Sequence, residues 1–298
     1  MENRKSLSLV ICTYNRDKFI NAALQSLNKQ SLDKANYEVI IVNNNCTDNT
    51  ATIVDAFIKN HPEIDMRQVF ETNQGLSFAR NRGIKEAKYD IITYMDDDGI
   101  AAPDFLEKIL NYLQKNKKVI GIGGKVIPLY ETKEPDWYNP FLRMMVTAFD
   151  FGEQVFKCKG KRYPAGCNMT YTKQLLIDSG GFNNALKWRT DDKYIYNVVS
   201  QINDNIYYVP SIKVQHFIDD YRTTDENFDK LSRLLGSEER LRIGASNFFP
   251  FIGKVAEYVF KYFASILIAF YFGIKGQWVK GKYVIRFRKL ALEGLLKG

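Results

Sequence analysis

Short apolar runs alternate along this chain with polar turns and stretches of helical spacing. Leu7 to Thr13 has the continuous apolar character of a buried strand, and Tyr14-Asn15-Arg16-Asp17 breaks it. Lys18 to Gln30 follows, with Phe19, Ala22, Ala23 and Leu27 on one helical face. The cycle then repeats. Tyr37 to Val42 predicts a strand and Asn43 to Asp48 a polar turn, and Thr47 or Asp48 can cap a helix through Ala51, Val54, Phe57 and Ile58. Met66 to Glu71 predicts a third strand, Leu76 to Ala87 a helix, and Tyr89 to Met95 a fourth strand. Pro103 stands near the start of the next helix, which runs to about Gln114, and Val119 to Ile122 predicts a strand ending at Gly123-Gly124. Strand, turn and helix in repetition predict an α/β domain around a mostly parallel central sheet. Ligand-binding turns belong at the C-terminal ends of such strands. The turns at Tyr14 to Asp17, Asn43 to Asp48 and Asp96 to Gly99 all fall there.

The second half changes character. Pro128 to Tyr163 is rich in aromatics, among them Trp137, Tyr138, Phe141, Phe149 and Phe151, which can pack on the sheet or line a cleft. A helix is expected from about Lys173 to Asp178, broken by Gly180-Gly181-Phe182. Trp188-Arg189-Thr190-Asp191-Asp192 leads into another, and strands are expected at Ile206 to Val209 and Ile212 to Phe217. From Phe248 to Ile274 the chain is strongly apolar, interrupted by Lys254, Glu257 and Lys261 at spacings that place all three on one helical face. That pattern favours a helix lying at a membrane boundary over a spanning one, with a core or dimer helix as the plain alternative.

Composition sharpens this division. The 298 residues are 45% hydrophobic and 26% charged, as in a folded protein with one large domain and an appendage. We expect a domain over residues 1–225 and a helical, basic segment over 226–298. The net charge of +8 is unevenly placed, for nine Lys or Arg from Lys254 onward face only Glu257 and Glu293. A basic terminal segment suggests docking on an anionic surface rather than a basic groove, and nucleic acid is not an expected partner. Cys12, Cys46, Cys158 and Cys167 show no metal-type spacing and fit a reducing compartment. No signal-peptide pattern opens the sequence, so a cytoplasmic protein, peripheral on the inner face of the cell membrane, is expected.

The densest chemistry is Asp96-Asp97-Asp98, at the end of an apolar run. Three adjacent carboxylates repel and resist dehydration, but two of them can flank a divalent cation beside the phosphates of a nucleotide. A polar turn at Gly99 is the bland reading. No dinucleotide glycine fingerprint follows the first strand, and no glycine-lysine phosphate loop occurs, which argues against nicotinamide chemistry and the usual ATPase mechanism.

Motifs in order over most of the chain resemble the inverting glycosyltransferase family 2, which has the GT-A fold of nucleotide-diphospho-sugar transferases. They are Cys12 to Arg16, Asn43 to Asp48, Gly75 to Asn81, Met95 to Asp98, Gly166 to Asn168, Gly180-Gly181-Phe182, Asp191-Asp192 and His216. The resemblance implies that Thr13, Tyr14, Asn15 and Arg16 border the nucleoside and that Asn43 meets the base. It places Arg80 at the nucleotide pocket and makes Asp96 and Asp98 the Asp-x-Asp element, with Asp97 between them on the donor side. Asp98 and His216 would attend a Mn²⁺ or Mg²⁺ ion, and Asp192 would be the base. Trp137, Gly166, Asn168, Trp188 and Asp191 would shape the acceptor side. Three positions depart from the pattern: Asn43 where Asp is usual, Asp191 where Glu is common, and Cys46 where Ser is common.

The chemistry of sugar transfer fits these roles. The leaving nucleoside diphosphate gains charge that a cation and His216 can offset, and a carboxylate must take the acceptor hydroxyl's proton. The expected activity is metal-dependent transfer of a hexosyl or N-acetylhexosaminyl group from a nucleotide-sugar, with UDP favoured, to a glycan or lipid-linked acceptor with inversion. A sugar nucleotidyltransferase and a noncatalytic glycan-binding protein are the competing readings. Assembly with further copies of the chain stays open.

Overall fold

The computed structural model describes residues 5–185, 191–243 and 248–297. The chain packs as two compact units, Met1–Ile127 with Phe149–Phe217, and Pro128–Ala148 with Ile218–Gly298.

The first unit begins with strand β1 (Leu7–Thr13), helix α1 (Ile20–Asn28), β2 (Tyr37–Asn43), α2 (Thr50–Asn60), β3 (Met66–Phe70) and α3 (Leu76–Glu86). It continues through β4 (Ile91–Asp96), β5 (Gly99–Ala101), α4 (Phe105–Lys115), β6 (Gly121–Tyr130), β7 (Phe156–Lys157), β8 (Met169–Thr172), α5 (Lys173–Asp178), α6 (Asp191–Ile202) and β9 (Ile206–Ile218). One sheet runs in the order β3-β2-β1-β4-β8-β6-β9-β5, with β7 also paired to β9.

This sheet corrects the mostly parallel one expected above: it is mixed. β1 pairs in parallel with β2 and β4, and β2 with β3. Beyond β4 the pairings turn antiparallel, β8 with both β4 and β6, and β9 with both β5 and β7. Apolar runs report burial but not direction, because direction is decided by what connects the strands. The first four strands are joined by helical crossovers, which demand parallel neighbours. β8 is reached through a long irregular excursion that imposes no such rule.

Both faces of the sheet are covered. Leu7, Leu9 and Ile11 of β1 pack into the core shared with α1, α2 and α4, whereas Val10 faces the core shared with α3, α5 and α6, the alternation a strand requires. Helix α3 approaches β1 closely because residue 83 is glycine: a Cβ there would lie 2.5 Å from Val10 Cγ1.

The second unit is helical, with α7 (Asp225–Ile243), α8 (Phe248–Ile274) and α9 (Trp278–Lys297). Its core joins Trp137, Leu142 and Met145 to Phe228, Phe272, Val284 and Phe287. Helices α7 and α9 touch through backbone, since a Cβ on Gly236 or on Gly294 would fall 2.0 Å from a carbonyl oxygen of the facing helix. Residues 249–274 of α8 are long and apolar enough to cross a membrane by length and composition, yet few of them are buried.

Candidate functional site

Three parallel strands of the first unit end side by side. The register aligns Thr13 with Asn43 and Cys12 with Asp96, so the turns after β1, β2 and β4 meet at one edge. The first two turns are tied together. Asn15 adopts a left-handed conformation (φ 53°), which asparagine tolerates, and its Oδ1 accepts from Thr47 N at 2.8 Å. Asp48 Oδ2 accepts from Asp17 N at 3.1 Å, and Thr50 Oγ1 from Arg16 N at 2.8 Å. Tyr14 is left half exposed over this edge, while Thr13 is buried.

After β4 the chain turns through Asp97 and Asp98 into the short strand β5. Antiparallel pairing sets Gly99 opposite His216 of β9, and Phe217 N donates to Asp98 O at 2.9 Å. This pairing delivers the imidazole to the acidic turn, with His216 Nε2 lying 3.1 Å from Asp98 Oδ1. Asp96, Asp98 and His216 each offer a donor atom, all within 4.8 Å of one another. Two carboxylates and an imidazole can hold a divalent cation, and the second imidazole nitrogen, Nδ1, is buried with no hydrogen-bond partner among the described residues. The donor set therefore fits a divalent cation, and it includes Asp96 as well as Asp98.

Asp97 points to the other side of the turn, 3.5 Å from Arg16 Nε. Burial, then the neighbouring Asp98, pushes its carboxyl up to about 7, with the Arg16 guanidinium acting against them. Burial likewise raises Asp96, opposed by Arg80.

Arg80 occupies a place that no local pattern announced. Expected at a nucleotide pocket, it is buried and bridges two carboxylates, Asp96 at 3.3 Å and Asp191, 111 residues further on. Burial alone would favour losing its proton, but Asp191 and Asp96 together hold it charged. Its guanidinium also lies over the rings of Phe182 and Tyr94, at 5.5 and 5.9 Å.

Asp191 opens helix α6, and Asp192 is the next residue. Asp192 Oδ2 accepts from Gly166 N at 3.1 Å and Oδ1 from Lys193 N at 2.6 Å. Burial, followed by the adjacent Asp191, pushes the Asp192 carboxyl up to about 7, with Arg80 opposing. That is the range for a base working near neutral pH. Two ion pairs and a peptide bond thus join the donor cluster to Asp192, in the order Asp96, Arg80, Asp191, Asp192.

Other expected residues have structural partners. Asn43 is buried, its Oδ1 accepting from Cys46 N and its Nδ2 donating to Gln68 Oε1. Asn168 Nδ2 is spent on the carbonyls of Lys125 and Ile212. Trp137 is only 4% exposed, in the core of the second unit, where its ring stacks on Tyr283. Trp188 lies outside the described residues. The sequence marks Asn44 only as part of the turn Asn43 to Asp48, with no role of its own. It donates to the carbonyls of Glu71 and Asn73 and accepts from Gly75 N, which fixes the loop leading into α3 and hence Arg80.

A family model described as glycosyl transferase family 2 matches residues 8–180. A glucosyl-dolichyl phosphate glucuronosyltransferase of Haloferax volcanii is 22% identical over 231 residues, 73% of this chain and 71% of that protein. A putative glycosyltransferase of Bacillus subtilis, EpsH, is 33% identical over 105 residues, and there the chain spans only 29% of the relative's length. Among solved structures, the mannosyltransferase PcManGT of Pyrobaculum calidifontis, in complex with GDP-Man and Mn²⁺, superposes with a TM-score of 0.66 at 17% identity, covering 99% of this chain and 88% of that one. Residues 1–349 of TarS from S. aureus superpose with a TM-score of 0.56 at 18% identity, covering 82% and 68%.

Proposed function

Because the chain belongs to glycosyl transferase family 2, we propose that it moves a sugar from a nucleotide-sugar to a hydroxyl of a glycan or lipid-linked acceptor, with inversion at the anomeric carbon. The observation that carries this reading is the cluster of Asp96, Asp98 and His216, joined through Arg80 and Asp191 to the first turn of the helix that carries Asp192.

Asp96, Asp98 and His216 would hold Mn²⁺ or Mg²⁺, which supplies positive charge to offset what builds on the departing diphosphate. Thr13, Tyr14, Asn15 and Arg16 border the nucleoside, and Asn43 fixes the turn beside it. Asp192, ionised, takes the proton of the acceptor hydroxyl as its oxygen bonds to the anomeric carbon. The bond from that carbon to the diphosphate oxygen breaks on the opposite face. Gly166 N–H and Lys193 N–H orient Asp192 through its two oxygens.

The base of the donor is best found by trial. Asn43 lacks the charge of the usual Asp, and the neighbours were captured with GDP-Man in one case and UDP-GlcNAc in another. A panel of UDP- and GDP-sugars with Mn²⁺, read by released nucleoside diphosphate, should give one preferred donor. Asp192→Asn should keep donor affinity and lower turnover by about 10² to 10⁴. Equal losses of affinity and turnover would sink the base assignment, and NMR of the product's anomeric centre tests inversion separately.

A further inference from the structure

The outer face of α8 is accounted for by neither the core of its unit nor the proposed chemistry. Phe249, Ile252, Phe260, Phe263, Leu267 and Ile274 are all exposed. At 3.6 residues per turn they fall within about 80° of arc and form a stripe about 37 Å long. No charged side chain interrupts it. The three ions of the helix stand on another flank and are already matched: Lys254 pairs with Glu239 at 3.0 Å and Glu257 at 2.7 Å, and Lys261 pairs with Glu257. Further along that same flank, Phe272 packs into the core of its own unit.

The end of the stripe is different. Lys275 is exposed, lies over the Tyr271 ring at 4.3 Å, and pairs with no carboxylate among the described residues. Trp278 is also exposed and folds back on Gly273, where a Cβ would fall 2.6 Å from its ring. Lysine, tyrosine and tryptophan at the edge of an apolar strip match the headgroup boundary of a bilayer. A partner protein would be expected to meet a polar rim around an apolar centre, but here the apolar line runs the length of the helix.

We infer that α8 lies flat in the surface of an anionic bilayer, its Phe249-to-Ile274 stripe buried among the acyl chains and Lys275 among the headgroups. Crossing the bilayer would surround the matched ions with lipid and strip the flank that carries them from its core, whereas lying flat disturbs neither.

The full chain should co-sediment with vesicles of phosphatidylcholine and phosphatidylglycerol and much less with phosphatidylcholine alone. Phe263→Asp, at an exposed position, should leave the circular dichroism spectrum and melting unchanged and weaken vesicle binding by at least about tenfold. Lys275→Glu should weaken binding to the anionic vesicles by at least about tenfold, with little effect on binding to neutral ones. Spin labels on cysteines placed singly at Ile252, Phe263 and Ile274, read against the unsubstituted chain, should report one shallow depth. A deep Phe263 between shallow ends would overturn the flat geometry in favour of crossing. Absence of vesicle binding, or a dimer in solution that Phe263→Asp dissociates without vesicle binding in either protein, would overturn the lipid assignment. Vesicle binding is read without a sugar donor, so its outcome is separable from that of the transferase assay.

Discussion

In the sheet unit, Arg80, Asp97, Asp98, Asp191 and His216 are at most 7% exposed, whereas in the helical unit Phe249, Phe260, Leu267 and Ile274 are at least 73% exposed. Each set reverses the usual partition of side chains, and in opposite senses. Buried charge is tolerated where every ion has a partner at hand and a reaction can use the field so created. Exposed hydrocarbon is tolerated where something other than water meets it. The ordinary core in each unit supports the fold, and the two reversals are what the proposed metal site and the proposed bilayer contact would each explain.

The largest effect should come from the buried side. Asp98→Ala removes one donor of the cluster and should abolish Mn²⁺-dependent transfer, a loss on the order of a thousandfold or more. Calorimetric titration with Mn²⁺ and nucleoside diphosphate should show the ion's contribution vanish. Intact transfer at an unchanged melting temperature would remove the metal from the mechanism.

Next in size is Arg80→Met, which leaves Asp191 buried, and the partly exposed Asp96 beside it, without their shared cation. Breaking one partner out of such a set costs about 3 to 5 kcal/mol. Urea unfolding should show that loss, and a change under about 1 kcal/mol would mean that the bridge is slack.

The pH profile gives a finer reading. Asp192 must be ionised to accept a proton, and its carboxyl is pushed up to about 7 by burial and by Asp191. Turnover at saturating donor should therefore be flat above about 7 and fall about tenfold per pH unit below it. A profile that stays level down to about pH 5 would reassign the base.

The smallest effect tests the helical unit alone. Gly294→Ala puts a methyl where the carbonyl of Arg233 already sits, so α7 and α9 must move apart, at a cost of about 1 to 3 kcal/mol. Mn²⁺ affinity should not change, because the ion's donors belong to the sheet unit. A parallel fall in metal affinity would show that the two units are energetically linked.

What was readable beforehand follows the same split between local and distant. β1, β2, β4 and the helices between them carry their signals in consecutive residues, and the acidic triplet ends its strand as its apolar run suggested. Sheet direction beyond β4 was not readable, since Met169–Thr172 looks the same whichever way it runs. Nor was the Arg80–Asp191 pair, whose members are brought together only by folding. Trp137 shows the converse hazard. The resemblance places it on the acceptor side, but it is buried and Tyr283, far along the chain, stacks on its ring. The stripe on α8 was half readable, for the spacing of Lys254, Glu257 and Lys261 gave one flank, while the empty opposite side is a property of packing.

Gly166 has a part to play that a residue without a side chain is seldom given. Its N–H holds Asp192, and a single added methyl would collide with an Arg80 nitrogen at 2.6 Å. One position therefore gauges the clearance between the arginine and the carboxylate that it helps to steady. Any side chain there would wedge them apart, and the damage would register as altered kinetics, although the atom that caused it takes no part in bond making or breaking. In a saturation screen, position 166 should thus sort with the reacting residues, identified by what it leaves empty.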